Sequence, residues 1–288
     1  MSPTESPLAT LLDVEAVGPD SFQGRAQNDG WSRVFGGLVV AQALVAAQRT
    51  VDNRAAHSLH AYFILPGDPK LPIAYAVERI RDGKSFATRR CVASQQGRAI
   101  FALSASFQAA ESGLSHQVAM PVVPAPEALA SEGELAARFS SVVPESVRRF
   151  LTRERPIELR PVDLMRFYAT RAAVQPGPQN IWVRVKARLP DDASVHRAAL
   201  AYLSDMTLLD AALAPVGGTI FEPRLQIASL DHAVWFHRPF RADQWLLYSQ
   251  DSPTLSGARG LARGLLFNID GDLVASVAQE GLVRERAG

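Results

Sequence analysis

Residues 35–47 read Phe-Gly-Gly-Leu-Val-Val-Ala-Gln-Ala-Leu-Val-Ala-Ala, and this stretch decides the fold. It predicts a helix over residues 37–51, opened by Gly36-Gly37. The apolar side chains point in nearly all directions around the helix axis, and a helix that is apolar all round is buried on most sides. The rest of the chain must therefore supply a surface that wraps this helix.

The residues that follow provide that surface. Turn signals such as Asp82-Gly83 and Gln96-Gly97 separate short segments that alternate between apolar and polar residues. These segments predict four strands, at residues 57–65, 73–81, 86–95 and 99–107. Because antiparallel strands can be joined by short turns, we expect an antiparallel sheet curved around the helix.

The same order of elements occurs again in the second half, which is the sign of an internal repeat. A helix is predicted over residues 193–213, followed by strands at residues 226–237, 245–252, 259–268 and 273–283. Strand-like segments also precede each helix, at residues 11–23, 157–167 and 181–189. We therefore predict an N-terminal domain at residues 1–109 and a C-terminal domain at residues 156–288. The proline-rich stretch at residues 110–155 is predicted to be a linker with one short helix near Glu132–Phe139.

Composition excludes several classes of protein. The 288 residues are 47% hydrophobic, enough for a full core in each of two small domains. Thirty basic and 29 acidic residues give a net charge of +1, without the basic excess of a nucleic-acid-binding protein. The single cysteine, Cys91, lies in an apolar alternating segment and is interpreted as a buried structural thiol. No zinc-spaced histidines, Gly-x-Ser-x-Gly elbow or phosphate-binding loop occur, so we expect no metal and no cofactor.

The sequence also bears on where the protein is expected to reside. Residues 1–24 contain no Lys or Arg, so the positive region of a signal peptide is missing. The longest apolar run, residues 35–47, is shorter than the ~20 residues of a membrane-spanning helix. The last three residues are not a peroxisomal signal. We expect a soluble cytoplasmic protein without membrane insertion.

Two aspartates stand out in the second predicted helix. An ionised carboxylate in an apolar environment is costly, so Asp205 and Asp210 need an explanation. Asp205 shares one face of the predicted helix with apolar residues that lie three, four and seven positions away from it. It is therefore a candidate functional carboxylate, although a structural carboxylate satisfied by backbone or arginine remains an alternative. Asp210, nearer the helix end, is interpreted as solvated.

Strand alternation adds two polar candidates. Gln279 falls on the more apolar, inward face of the last strand, where a buried amide needs hydrogen-bond partners. Ser229 shares one face of its strand with Ile227, Asp231, Ala233 and Trp235. A structural role remains an alternative for both Gln279 and Ser229. A carboxylate, a hydroxyl and an amide on inward faces together suit the activation of a water molecule.

Five segments of the chain resemble the acyl-CoA thioesterase II family, the double-hotdog thioesterases. They are residues 33–44 (RVFGGLVVAQAL), 57–63 (HSLHAYF), 202–205 (YLSD), 229–240 (SLDHAVWFHRPF) and 279–281 (QEG). The resemblance runs from about residue 11 to residue 284. It implies an α+β double-hotdog fold, with two tandem units that each wrap an antiparallel β-sheet around a long central helix.

The resemblance also implies an activity, the hydrolysis of fatty acyl-CoA to free fatty acid and coenzyme A. Family members carry a catalytic Asp, a Ser or Thr, and a Gln at the positions of Asp205, Ser229 and Gln279. The implied mechanism is base-assisted attack of water on the thioester. Gly36 and Gly37 are predicted to bind the substrate, because helix N-termini offer N–H donors to an oxyanion. Hotdog sheets have exposed edges, so we expect a homo-oligomer.

Two rival functions remain at this point. An enoyl-CoA hydratase or dehydratase of the same fold would need a histidine paired with an acid near the thioester, and His60 or His232 could serve. An acyl-CoA-binding regulator without catalysis would need none of the inward polar residues. Release of thiol from a saturated acyl-CoA separates these functions from a thioesterase.

Overall fold

The computed structural model describes residues 6–26, 32–139, 145–164 and 177–286. Its first half begins with a short helix and a β-hairpin, followed by a central helix and four long strands. The elements are α1 (Pro7–Leu12), β1 (Val14–Gly18), β2 (Ser21–Gly24), α2 (Gly36–Gln48), β3 (Ala55–Phe63), β4 (Ile73–Asp82), β5 (Phe86–Gln95) and β6 (Arg98–Gln108).

The connecting segment and the second half follow. The connection contains a 3₁₀ turn (Pro126–Ala128), α3 (Glu132–Phe139) and α4 (Glu145–Thr152). The second half contains β7 (Ile157–Pro161), β8 (Gln179–Val185), α5 (Ala193–Ser204), α6 (Leu208–Leu213), β9 (Leu225–Ser229), β10 (Asp231–Phe236), β11 (Leu246–Ser256), β12 (Arg259–Asn268) and β13 (Leu273–Glu285). The helix predicted near Glu132–Phe139 is present, whereas α4 was not predicted.

Helix α2 is enclosed as its composition predicts. Every residue from Gly37 to Leu44 is buried, including the amide of Gln42. Gln42 is satisfied by the Tyr75 hydroxyl, which donates to it over 2.7 Å, and by two backbone carbonyls that accept from its nitrogen. The helix ends at Gln48, three residues before the predicted end, and left-handed Asn53 lies in the turn to β3.

One antiparallel sheet joins the two halves. Its strand order is β1-β2-β4-β5-β6-β3-β10-β13-β12-β11-β8-β7, with β9 paired to β13. The junction is the pairing of β3 with β10, from Ser58 opposite Trp235 to Tyr62 opposite Asp231. Helices α2 and α5 pack against each other inside this sheet. The two halves therefore meet through helices α2 and α5 and through strands β3 and β10.

The second central helix is broken, so the single helix predicted over residues 193–213 is wrong. Helix α5 ends at Ser204, Asp205 caps it, and α6 begins only at Leu208. The break contains Ser204, Asp205 and Thr207, residue types whose side chains compete with helical backbone hydrogen bonds. Ser204 Oγ lies 3.1 Å from the Ala201 carbonyl, a contact of this competing kind. Asp205 therefore lies at the end of a helix. Its spacing to residues beyond the break no longer means that they share a helix face.

The strand predicted over residues 226–237 is also interrupted. Ser229 lies opposite Gly281 and Ala233 lies opposite Ala278, so four steps along β9 and β10 match three along β13. One extra residue in a strand is a β-bulge, and it reverses which side chains face inward. Beyond the bulge the buried residues are His232, Val234 and Phe236. The predicted common face of Ser229 with Asp231, Ala233 and Trp235 is therefore wrong.

The segments before the central helices differ in part from the prediction. Residues 11–23 contain the end of α1 and a hairpin that turns at left-handed Asp20, rather than one strand. The strand predicted over residues 157–167 ends at Pro161, and residues 165–167 lie outside the described residues. Cys91 is buried in β5, and burial raises the pKa of its thiol to about 12, as a structural thiol requires.

The second half contains a longer apolar run than residues 35–47. Ala193–Val216, taken across the helix break, is long and apolar enough to cross a membrane by length and composition alone. Most of its apolar window, 72%, is buried inside the protein. Core helices of folded domains meet the same two criteria.

Candidate active site

The carboxylate of Asp205 is the centre of a polar cluster at the junction of the halves. Gln279 Nε2 donates to Asp205 Oδ1 over 2.7 Å, and Ser229 Oγ donates to the same oxygen over a longer 3.4 Å. The backbone N–H of Gly37 is a third donor to this carboxylate. The structure thus brings together the three side chains predicted to be catalytic and one of the two predicted glycines.

Gly36 and Gly37 let the start of α2 approach the end of α5 closely. A Cβ at position 36 would lie 2.7 Å from Asp205 Oδ2 and 2.8 Å from the Phe63 ring. At position 37 a Cβ would lie 2.4 Å from the backbone carbonyl of Tyr202. A Cβ at position 36 would displace the Asp205 carboxylate and the Phe63 ring, and one at position 37 would meet a backbone atom that cannot turn aside, so glycine suits both positions. The two glycines therefore place a helix N-terminus against the carboxylate.

The Gly37 N–H has a different partner from the one expected. An oxyanion donor was predicted here, whereas the structure uses this N–H to hold Asp205. The positive end of the α2 dipole favours the ionised carboxylate, which offsets the unfavourable position of Asp205 at the C-terminus of its own helix. The substrate-binding role of Gly36 and Gly37 stays a prediction.

The environment of Asp205 tunes its proton affinity. Burial raises the pKa of this carboxyl to about 6, while the hydrogen bonds from Gln279, Gly37 and Ser229 lower it. Desolvation disfavours the charged form and the donors favour it, so the carboxyl remains mainly ionised at pH 7. A base is most effective when its pKa lies near the working pH. A carboxylate with this pKa is therefore suited to accept a proton.

Comparisons with known proteins agree with this geometry. A family model described as acyl-CoA thioesterase matches residues 147–282, and one described as the acyl-CoA thioesterase N-terminal domain matches residues 27–108. Acyl-CoA thioesterase 2 of Haemophilus influenzae is 38% identical over 286 residues, covering 99% of this chain and 99% of that protein. The chain belongs to the acyl-CoA thioesterase II family.

Solved structures extend the likeness to the fold. The crystal structure of an acyl-CoA thioesterase II, TesB2, from Mycobacterium marinum has a TM-score of 0.80 at 41% identity, covering 98% of this chain and 99% of that one. A hot dog fold protein from Alicyclobacillus acidocaldarius has a TM-score of 0.76 at 20% identity, covering 96% and 98%. The predicted double-hotdog fold is confirmed, and the protein is an acyl-CoA thioesterase that hydrolyses acyl-CoA to fatty acid and coenzyme A.

The histidines considered for a hydratase are placed unfavourably for that chemistry in this thioesterase. His60 is exposed, and its ring meets Trp235 edge-on at 5.1 Å between centroids. His232 is fully buried, with Nε2 2.8 Å from Ser204 Oγ. Burial lowers the pKa of the His232 imidazole to about 4, so it is neutral. Within the described ranges, neither histidine contacts a carboxylate.

Asp210 is buried, so its interpretation as solvated is wrong. Burial raises the pKa of this carboxyl to about 8, and the backbone N–H of Ile220 donates to it. The cause is tertiary, because the segment after α6 returns over the helix and brings Ile220 to the carboxyl. Among the described residues, no group of three His, Cys, Asp or Glu side chains could hold a metal ion.

Two residues of β11 support the helix break that presents Asp205. Tyr248 donates to the Ser204 carbonyl over 3.0 Å, and Gln250 Nε2 donates to Thr207 Oγ1 over 2.6 Å. Neither residue was singled out from the sequence. The available signal was that Tyr248 and Gln250 lie two residues apart, on one face of a strand, and both are buried.

Proposed function

We propose that this thioesterase hydrolyses fatty acyl-CoA by base-assisted attack of water, with Asp205 as the general base. The observation that carries the proposal is the polar cluster itself. One partly buried carboxylate with a pKa of about 6 is held by Ser229 and Gln279 from the second half and by Gly37 from the first. The fusion of two domains is thereby explained, because each half supplies part of the site.

The proposed reaction needs no covalent enzyme intermediate. Asp205 takes a proton from a water molecule while the water oxygen attacks the thioester carbonyl carbon. The carbonyl oxygen becomes an oxyanion, for which the backbone N–H of Gly36 at the start of α2 is the proposed donor, since the Gly37 N–H is directed at Asp205. The tetrahedral intermediate collapses, the carbon–sulfur bond breaks, and the CoA sulfur leaves with the proton that Asp205 received. Ser229 and Gln279 keep the carboxylate oriented during these steps.

Apolar side chains around the carboxylate support the proposal that the acyl group of the substrate is lipid-like. The Phe63 ring lies beside Gly36, next to Asp205, and Phe35 packs edge-on against Tyr202 at 5.1 Å between centroids. Both phenylalanines are only partly buried. We propose that the acyl chain lies along this apolar border between the halves.

Turnover of a saturated acyl-CoA tests the proposed mechanism. We expect steady release of CoA thiol and an equal amount of free acid, without a burst in the first turnover. A burst matching the enzyme concentration would indicate an acyl-enzyme and contradict water attack as the first step. Binding without thiol release would favour a regulator, and activity only on an enoyl-CoA would favour a hydratase.

We also propose that the protein assembles into a homo-oligomer. Several large apolar side chains are strongly exposed, including Leu114 and Val122 in the connection and Tyr62 near the end of β3. Contact with a second copy would remove these side chains from water. Light scattering is expected to give a multiple of 31.2 kDa, and a monomer mass at micromolar concentration would contradict the proposal.

A further inference from the structure

Two buried polar atoms beside Asp205 have no role in the mechanism described so far. They are Gln279 Oε1 and His232 Nδ1, and both residues are 0% exposed. Neither atom has a hydrogen-bond partner in the part of the chain that the structure describes. Unsatisfied buried polar atoms are uncommon in folded proteins and call for an explanation.

The two side chains interact with each other. Ala233 lies opposite Ala278 in the pairing of β10 with β13, so the adjoining residues His232 and Gln279 are neighbours across the two strands. In agreement with this placement, Gln279 raises the pKa of the His232 imidazole against the larger effect of burial. The oxygen end of the amide is the end left to face the imidazole, and no hydrogen bond of ordinary geometry joins the two. The nitrogen end of the same amide donates to Asp205.

The contacts of the Ser204 hydroxyl link its proton to the tautomer of the imidazole. Its hydroxyl lies 2.8 Å from His232 Nε2 and 3.1 Å from the Ala201 carbonyl, and it has one proton to donate. If the hydroxyl donates to the Ala201 carbonyl, it accepts from Nε2–H and Nδ1 carries a lone pair. If it donates to Nε2, the ring proton of a neutral imidazole is on Nδ1. This tautomer places an N–H toward the Gln279 oxygen. The other tautomer would place a lone pair there.

We propose that His232 is a positioning residue, whose Nδ1–H holds the amide oxygen of Gln279 so that the amide nitrogen points at Asp205. The inference rests on the proposed function, in which Asp205 is the base. Rotation of the amide by half a turn would set its oxygen against the carboxylate and remove the donor. The imidazole thus acts on the base through Gln279 and does not contact the substrate.

The β-bulge explains how the chain places His232 there. Without the extra residue, the alternation that turns Ser229 inward would turn His232 outward. Asp231 holds the bulge to the neighbouring strand, because its Oδ1 accepts from the backbone N–H of Glu280 over 2.6 Å. Ser229 and His232 can therefore both face the cluster around Asp205.

The test compares two substitutions of His232 by kcat and by the pH dependence of kcat/KM. His232→Phe removes the Nδ1–H, so we expect kcat to fall about tenfold, the size expected for one hydrogen bond to a charged group lost indirectly. The ascending limb of the pH profile should move to higher pH, because Gln279 donation lowers the pKa of Asp205. His232→Asn keeps an N–H close to the Nδ1 position and should restore both values toward wild type.

Two further variants make the test specific. In a Gln279→Ala background, His232→Phe should cause no additional change, because the group that it positions is absent. His237→Phe is the matched control, since His237 Nε2 also lies 2.8 Å from a serine hydroxyl, that of Ser276, but outside the cluster. The His237→Phe substitution should leave kcat and the ascending limb of the pH profile unchanged.

The outcomes separate this proposal from the proposed function. If Asp205→Asn abolishes the limb while His232→Phe leaves it in place, the positioning role is wrong and the base assignment stands. Equal effects of His232→Phe with and without Gln279 would also overturn the positioning role. If wild type shows no limb that depends on Asp205, the proposed function itself fails. Should His232→Phe not fold, His232→Asn and His232→Gln still decide, because only asparagine keeps the donor near Gln279.

Discussion

Replacing Asp205 by asparagine is expected to lower kcat for acyl-CoA hydrolysis by about 10²–10⁴-fold, the usual contribution of a general base. The asparagine side chain has nearly the same shape, but its amide cannot accept a proton from water. The fold should survive, because burial already disfavours the charged carboxylate and a neutral amide removes that cost. Steady-state kinetics with one saturated acyl-CoA, together with a thermal melt, measures both effects.

Asp210→Asn is the control for this prediction. Asp210 is a second buried aspartate, five residues further on, whose carboxyl pairs with the Ile220 N–H outside the polar cluster. Its replacement should change kcat little. Equal losses in the two variants would mean that this part of the chain is merely sensitive to substitution. A near-normal kcat in Asp205→Asn would refute the assigned base and direct attention to Asp231 or His232.

Gly37→Ala is expected to damage both stability and rate. The added Cβ would lie 2.4 Å from the backbone carbonyl of Tyr202 and 2.6 Å from the Phe35 ring. A backbone carbonyl cannot rotate away, so α2 and α5 must separate. Overpacking of this kind typically lowers the free energy of unfolding by about 1–3 kcal/mol. The same movement withdraws the Gly37 N–H from Asp205, and kcat should fall by about tenfold or more when a hydrogen bond to this charged group is lost.

Gly113→Ala provides the comparison. A Cβ at Gly113 meets no atom within 4 Å, so alanine there adds no overlap. Denaturant titration and kinetics should give wild-type values for Gly113→Ala. A Gly37→Ala protein with wild-type stability and rate would show that the two helices can adjust without cost. The close contact between the halves would then not explain why glycine occupies position 37.

Much of the fold could be predicted from local sequence patterns. An all-round apolar helix predicted at residues 37–51 and alternating segments separated by turn signals define one unit, and their recurrence defines the second. These patterns depend on residues close together in the chain. The helix break at Asp205 and the bulge between Ser229 and Ala233 were not predictable in this way. A bulge depends on how one strand is registered against its partner, and the pattern of one strand does not contain that register.

The candidate site likewise combines features that local sequence patterns predict with features that depend on residues far apart in the chain. Asp205, Ser229 and Gln279 were found because polar residues in apolar segments need an explanation, and the family resemblance then assigned them roles. Asp205 was found partly for a wrong reason, because the uninterrupted helix that motivated it does not exist. The burial of Asp210 depends on a segment that returns over it after ten residues. The inward position of His232 depends on the bulge. Both are tertiary effects that local periodicity cannot show.

The most direct test of Asp205 as the base is the pH dependence of kcat/KM in wild type and Asp205→Asn, measured side by side. Below its pKa of about 6 the carboxyl is protonated and cannot accept a proton, so wild-type kcat/KM should rise with pH through about 6 and then level off. The residual activity of Asp205→Asn should lack this limb. The same limb in the variant would assign it to another group and contradict the role of Asp205.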